Sequence, residues 1–278
     1  MSHYRLLAID IDGTLVNSRE ELSPATQAAL ARAGRAGIHL VLATGRRYSR
    51  TLHLVEPLGI SVPLVTAGGA LVKDPRDHRT LYCAKFDPAV LRRALETVAR
   101  SGFEPVVCAD TYALGFDYYL AREDTASAEL GEYLRLNPGC GRLWPELVAD
   151  PPPGIFAAFA MGTRDQMLAL EAALAAVLGE KISTHVLRSP KYSGFMCEIA
   201  PGEVTKWSAI RRLAAGWGIA EHEICAVGDD VNDIPMIRAA GLGIAMGNAL
   251  PEVKDAADRI APSQEEDGLV RVVAWLLE

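Results

Sequence analysis

Asp10 and Asp12, with one isoleucine between them, close the short apolar run Leu6-Leu7-Ala8-Ile9 and lead into Gly13-Thr14-Leu15. The run has the length of a buried strand and is far too short to span a membrane. Alternate residues of a strand face one way, but past its end the backbone is free to turn. Both carboxylates can therefore converge at the strand's carboxyl edge, where open α/β sheets bind ligands. Two like charges forced together repel unless a cation or a shared proton intervenes. The pair thus points to a metal site or to phosphoryl transfer, although Asp and Gly are also ordinary residues of a strand-ending turn.

Partners for the pair occur far along the chain. The apolar run Ile224-Cys225-Ala226-Val227 ends in Gly228-Asp229-Asp230-Val231-Asn232-Asp233, a second acidic cluster after a strand. Thr44 closes a third run, Ile38–Ala43, within Thr44-Gly45-Arg46, and Lys206 falls in the first turn of the helix after Phe195–Ile199. If these strands are neighbours in one parallel sheet, all of these groups reach one crevice. Mg²⁺ suits such a donor set, since it takes a few carboxylates plus waters and phosphate oxygens. Asp10, Asp229 and the backbone carbonyl of Asp12 could supply the protein ligands. Lys206 would place a positive charge at the phosphoryl oxygens and Thr44 a hydroxyl donor, with Gly45 beside it a further candidate for binding phosphate. Asn232 could add a hydrogen bond, and Asp233 could hold Lys206 or a metal-bound water. A carboxylate can be the nucleophile of phosphoryl transfer, forming an aspartyl-phosphate. Asp10 is then the nucleophile, and Asp12 is placed to protonate the leaving oxygen and later to activate water. Arg46 either meets the substrate or sits in a helix's first turn.

The elements that position these residues alternate. Ser23-Pro24 supplies an N-cap and a first-turn proline for a helix to about Gly37. The strand at 38–43 follows, then a helix to about Leu58, and Pro63–Thr66 with the pair Gly68-Gly69. Strands separated by helices of this length imply right-handed βαβ units and a parallel sheet. Ala70–Lys73 and Thr80–Ala84 flank Asp74-Pro75-Arg76-Asp77 as a hairpin. The middle is less regular: a helix at Pro88–Arg100, strands at Pro105–Cys108 and Tyr112–Phe116, and a looser segment through Pro138-Gly139 and Pro151-Pro152-Pro153-Gly154. Ile155–Met161, a helix at Arg164–Leu178 and a strand at Ile182–Leu187 complete it. This predicts an inserted α+β domain. The last third returns to alternation, with Phe195–Ile199, helix Val204–Trp217, Ile224–Val227, helix Ile234–Ala240, Leu242–Ala245 and a closing helix at Glu265–Leu277. The expected division is 1–84 and 190–278 for the core and 85–189 for the inserted domain.

Asp10-Ile11-Asp12-Gly13-Thr14-Leu15, Ala43-Thr44-Gly45-Arg46, the Lys206 element and Gly228-Asp229-x-x-Asn232-Asp233 resemble the four motifs of the haloacid dehalogenase superfamily. The stretches Asn232–Ile237 and Ala245–Ala249, with Glu266-Asp267-Gly268, are similar to its Cof-type sugar-phosphate phosphatases, which carry a large α/β cap. The resemblance implies a Rossmann-like parallel-sheet core with helices on both faces and an inserted α+β cap domain. It also implies Mg²⁺, Asp10 as nucleophile with Asp12 as acid/base, phosphate contacts from Thr44, Lys206 and Asn232, and a metal ligand at Asp229. Two positions depart from the pattern. Gly68 stands where Asn is usual, and Trp207 follows the lysine where glycine is usual. Arg188, Ser189 and Lys191, near the end of the inserted domain, are candidates for contacting the substrate.

Composition agrees with this reading. The 278 residues are half hydrophobic, and 28 Lys plus Arg against 35 Asp plus Glu leave a net charge of −7. That disfavours a binder of nucleic-acid backbone. No segment has signal-peptide or membrane-spanning character, and the five cysteines are scattered without C-x-x-C spacing, as in a cytoplasmic protein with reduced thiols. Gly241-x-Gly243 precedes a strand instead of opening a helix and is not a dinucleotide fingerprint. The expected activity is Mg²⁺-dependent hydrolysis of a small phosphorylated metabolite, a sugar phosphate in the first instance. A sugar phosphomutase of the same superfamily and a receiver-like phospho-aspartate module are the alternatives. The sequence leaves the oligomeric state open.

Overall fold

Continuous apolar character makes the run at the front of the chain a central strand, β1 (Leu6–Asp10), with every residue buried. In the computed structural model, residues 3–55, 62–188 and 192–278 are described. The order continues with α1 (Pro24–Arg35), β2 (His39–Ala43), α2 (Tyr48–Val55), β3 (Leu64–Thr66), β4 (Leu71–Lys73) and β5 (Thr80–Cys83). Then come α3 (Pro88–Arg100), β6 (Val106–Ala109), β7 (Tyr118–Leu120), α4 (Ala128–Leu136), β8 (Gly141–Leu143), β9 (Ile155–Gly162) and α5 (Arg164–Leu178). The chain closes with β10 (Ile182–Arg188), β11 (Phe195–Pro201), α6 (Lys206–Gly216), β12 (Ile224–Gly228), α7 (Ile234–Ala239), β13 (Leu242–Ala245), α8 (Pro251–Ala256), β14 (Arg259–Ile260) and α9 (Gly268–Leu277).

Two compact units result, one of Met1–Tyr82 with Thr205–Glu278 and one of Cys83–Val204. The first holds a sheet in the order β14-β13-β12-β1-β2-β3-β4-β5. From β14 to β3 the neighbours are parallel, and β4 turns back antiparallel on β3. Leu6 and Ala8 of β1 share one core with Ala209 and Ile210 of α6, Met236 and Ile237 of α7 and Val253 of α8. Leu7 and Ile9, facing the other way by strand alternation, are equally buried, and α1 packs on β2 and on α9. Caps set the helix starts: the Ser23 side chain accepts from Thr26 N ahead of Pro24 in α1, and Thr205 with Ser208 forms a capping box at α6.

The second unit holds the sheet β10-β11-β9-β6-β7-β8, with α3 and α5 contributing Leu91, Leu95, Val98, Met167, Leu170 and Leu174 to its core. Here the sequence expectations need correction. Tyr112–Leu114 forms a 3-10 turn, and the strand lies later, at Tyr118–Leu120. The turn follows from Gly115, which takes a left-handed φ of 78° and ends the turn before a strand can form. The segment read as loose contains α4, capped by Ser127, whose side chain accepts from Leu130 N. Phe195–Pro201, read as part of the returning core, pairs instead with β10 and β9, so this unit runs to Val204 rather than 189. Strand–helix alternation along a chain does not say which sheet a strand joins. The seven-residue register from Ile182↔Pro201 to Arg188↔Phe195 decides it. The expected extension of α2 to Leu58 lies outside the described residues. Among the described residues no helix is long and apolar enough to cross a membrane.

Candidate active site

Parallel pairing brings the carboxyl ends of β12, β1 and β2 to one edge, with Ile9 opposite Val227 and Asp10 opposite Ala43. The chain leaves β1 towards β2 and β3 on one side, whereas β12 leads to β13 on the other. Such a reversal opens a crevice beyond the strand ends. Asp10 ends β1, Thr44 follows β2, and Asp229 follows β12.

Lys206 enters this crevice as the first residue of α6. Its Nζ donates to Asp10 Oδ1 at 2.5 Å, to Asp233 Oδ1 at 2.7 Å and to Asn232 Oδ1 at 3.0 Å. Both ends of the pairs are withdrawn from water: Lys206 is 2%, Asp10 4% and Asp233 0% exposed. The second oxygen of Asp233 accepts from the backbone N–H groups of Asp229 and Asp230 at 3.0 and 3.1 Å. Asp233 therefore fixes the lysine and the loop after β12 together. Asp229 points its Oδ1 at the Thr14 hydroxyl, 2.8 Å away. Asn248 Nδ2 donates to Gly13 O at 2.8 Å and lies 3.4 Å from Asp229 Oδ2. Gly13 makes the approach of the two loops feasible: its φ is +77°, and a Cβ there would stand 2.2 Å from Asp229 Oδ2.

One oxygen each from Asp10, Asp229 and Asp233 lies within 4.8 Å of the others. Burial, then the charge of Asp233, pushes the Asp10 carboxyl well above the usual range, against the pull of Lys206. Burial also lifts Asp229, up to about 7; the Thr14 hydrogen bond opposes this and the Asp233 charge adds to it. Lys206 is raised as well, which in a base favours the charged form. Burial disfavours its charge, but Asp10 and Asp233 outweigh that and hold it protonated. Three carboxylates thus share one ammonium, and burial together with the charge of Asp233 raises the proton affinity of both Asp10 and Asp229. This hard-oxygen donor set with uncompensated charge fits a divalent cation.

Asp12 is placed differently. Its carboxylate lies outside the cluster and faces Arg46, whose Nε donates to Oδ2 at 2.8 Å and whose Nη2 donates to Oδ1. As a side-chain ligand Asp12 does not join the other acids, because the turn after Asp10 sends its side chain to the β2 side; only its backbone carbonyl remains a candidate donor. Thr44, 1% exposed, accepts from Arg46 N at 3.0 Å, and its carbonyl accepts from Gly68 N at 3.1 Å. Gly45 lies between them, half-buried.

The two departures have plain structural settings. Gly68 has a φ of 63°, a region that Asn also tolerates better than most residues. Trp207 packs, partly buried, against the first unit's core. Arg188 is exposed at the end of β10 in the second unit; Ser189 and Lys191 lie outside the described residues. Sequence reading missed Thr14, Glu20 and Asn248. Thr14 and Asn248 lie inside the quoted motif stretches and could have been singled out there. Glu20 carries no local signal at all.

Known proteins resemble this chain throughout its length. The model of the haloacid dehalogenase-like hydrolases matches residues 7–273. Phosphatase YwpJ of Bacillus subtilis (strain 168) is 29% identical over 300 residues, covering 98% of this chain and 100% of its own. The same organism's 5-amino-6-(5-phospho-D-ribitylamino)uracil phosphatase YcsE is 28% identical over 98% of this chain and 96% of its own. A haloacid dehalogenase-like hydrolase from Bacteroides thetaiotaomicron superposes with a TM-score of 0.78 at 26% identity, over 98% of this chain and 99% of its own.

Proposed function

This chain belongs to the haloacid dehalogenase-like hydrolases, and from that premise we propose that it is a divalent-metal-dependent phosphatase, Mg²⁺ being the cation, acting on small phosphorylated metabolites. The observation that carries the proposal is the buried cluster of Asp10, Asp229 and Asp233 around Lys206 at the carboxyl edge of β1 and β12. Asp10, Asp229 and the Asp12 carbonyl are the groups assigned to the cation. When bound, the cation supplies charge neutralisation that lets an anionic nucleophile approach a phosphomonoester.

The chain's own groups divide the rest of the work. Lys206 gives positive charge where phosphoryl oxygens arrive, and the Thr44 hydroxyl and the donor end of the Asn232 amide give hydrogen bonds. An Asp10 oxygen forms a bond to phosphorus as the bond to the leaving oxygen breaks, and Asp12 passes a proton to that oxygen. Water then attacks the aspartyl-phosphate, the Asp10–phosphorus bond breaks, and Asp12 takes the proton back. Asp233 keeps Lys206 oriented throughout. The relative YcsE is named for a substrate whose phosphate ends a ribityl chain, which supports sugar or polyol phosphates as the class. Cytoplasmic location is part of the same reading.

Release of inorganic phosphate from a panel of sugar and polyol phosphates tests it. Turnover is expected with Mg²⁺, absent in EDTA, restored by excess Mg²⁺, and abolished by Asp10→Asn. Turnover in EDTA or by Asp10→Asn would contradict the site as drawn. Isomer formation from a hexose 1-phosphate without phosphate release would favour a mutase instead.

A further inference from the structure

We propose that Glu20 is a positioning residue for this reaction: through Arg46, it fixes the direction in which the Asp12 carboxylate points. The inference rests on the phosphatase reading, in which Asp12 moves the proton.

The backbone at Asp12 is held by its own turn, with the N–H groups of Leu15 and Val16 donating to Ile11 O at 3.0 and 3.1 Å. Its side chain is not held that way. It is 52% exposed, and a carboxylate so exposed turns freely unless something grips it. Arg46 does so with two parallel N–H groups, one on each oxygen. A planar fork of this kind sets the plane of a carboxylate as well as its distance. A single Lys could not do this, because an ammonium is a point charge.

Arg46 must itself be fixed for the grip to orient anything. Its side chain is only 14% exposed, and its Nη2 also donates to Glu20 Oε1 at 2.5 Å. Glu20 stands on a closed turn. Asn17 Oδ1 accepts from Arg19 N and Glu21 N, both at 2.9 Å, and Glu20 N donates to Asn17 O at 2.9 Å. The turn is braced by Glu265, whose Oε1 accepts from Ser18 N at 2.7 Å. Glu20 adopts a φ of +60° there, a left-handed conformation that is strained for a residue with a side chain. That conformation aims its carboxylate at Arg46. The C-terminal segment, the turn, Glu20, Arg46 and Asp12 thus form one continuous chain of contacts within the first unit.

p-Nitrophenyl phosphate, used with Mg²⁺, separates the roles. Its phenolate leaves without a proton, so phosphorylation of Asp10 does not need Asp12, whereas hydrolysis of the aspartyl-phosphate does. Glu20→Ala is expected to release a first equivalent of p-nitrophenolate per enzyme as a burst, then turn over about tenfold more slowly than wild type with no rise in KM. Arg46→Ala is expected to slow the steady state about a hundredfold, and adding Glu20→Ala to it should cost less than a further twofold. Glu20→Gln keeps an acceptor oxygen, should recover part of the rate, and carries the test if Glu20→Ala does not fold. An unchanged steady state in Glu20→Ala, equal losses in burst and steady state, a raised KM, or additive losses in the double variant each overturn the inference. If Asp10→Asn retains turnover, the phosphatase reading falls and takes this inference with it. If Asp10→Asn is dead while Glu20→Ala matches wild type, only the inference falls.

Discussion

Stripped of divalent cations, the protein is expected to lose stability as the pH rises from about 5 to 7.5. The cause is Asp229, whose carboxyl is raised from an ordinary 3.8 to about 7, first by burial and then by the charge of Asp233, against the Thr14 hydrogen bond. A carboxyl with a folded-state pKa above its unfolded value holds its proton more tightly when folded. The resulting stabilisation is complete below about pH 4 and disappears as the pH climbs through about 7. Between pH 5 and 7.5 the linkage relation gives a loss of about 2–3 kcal/mol from this one group, or ~5–10 °C in melting temperature for a unit of this size. Asp10 is shifted the same way and adds to the slope. Lys206 is raised too, from a value already above this window, so it keeps its charge throughout and contributes no slope. Thermal melts in EDTA at half-unit pH steps measure the effect. Millimolar Mg²⁺, which binds the ionised form, should flatten or reverse the slope, and Asp229→Asn should shrink it in EDTA. A metal-free protein whose melting temperature stays level or rises over this range would refute the electrostatic account of the site.

Other outcomes follow from single contacts. Asp233→Asn leaves Lys206 short of a buried partner and sets an amide against two backbone N–H groups; breaking a buried pair this way should cost about 3–5 kcal/mol, read by urea unfolding of the first unit. Gly13→Ala forces a Cβ onto Asp229 at a left-handed φ and should weaken Mg²⁺ binding at least about tenfold by calorimetric titration, following the cost of a strained backbone. Thr205→Ala removes the α6 N-cap and should cost about 1 kcal/mol, with kcat lowered through the adjacent Lys206. Asp10→Asn should reduce turnover of a sugar phosphate at least about a thousandfold, since the attacking oxygen is lost; phosphate release is the assay.

Much of the first unit was legible because its signals are local. Buried strands announce themselves as unbroken apolar runs, as in Leu6–Ile9 and Ile224–Val227, and Ser23-Pro24 marks a helix start. The second unit was less legible. Its short strands, such as Tyr118–Leu120, depend on antiparallel partners distant in sequence, and a run of five residues such as Tyr112–Phe116 fits a turn as readily as a strand.

Residue types and their order along the chain thus determined the α/β character of the core, the acidic ends of its central strands and the chemistry those acids can do. Tertiary structure alone decided which strands are neighbours, that Phe195–Pro201 joins the second sheet, and that Asp233 stands beside Asp10 and Asp229 while the Asp12 carboxylate turns to Arg46. It alone brought Glu20 to that arginine. The physical reason is range: propensity, capping and apolar period act over a few residues, whereas the electrostatics of a buried site arise between groups that meet only when the sheet closes its register.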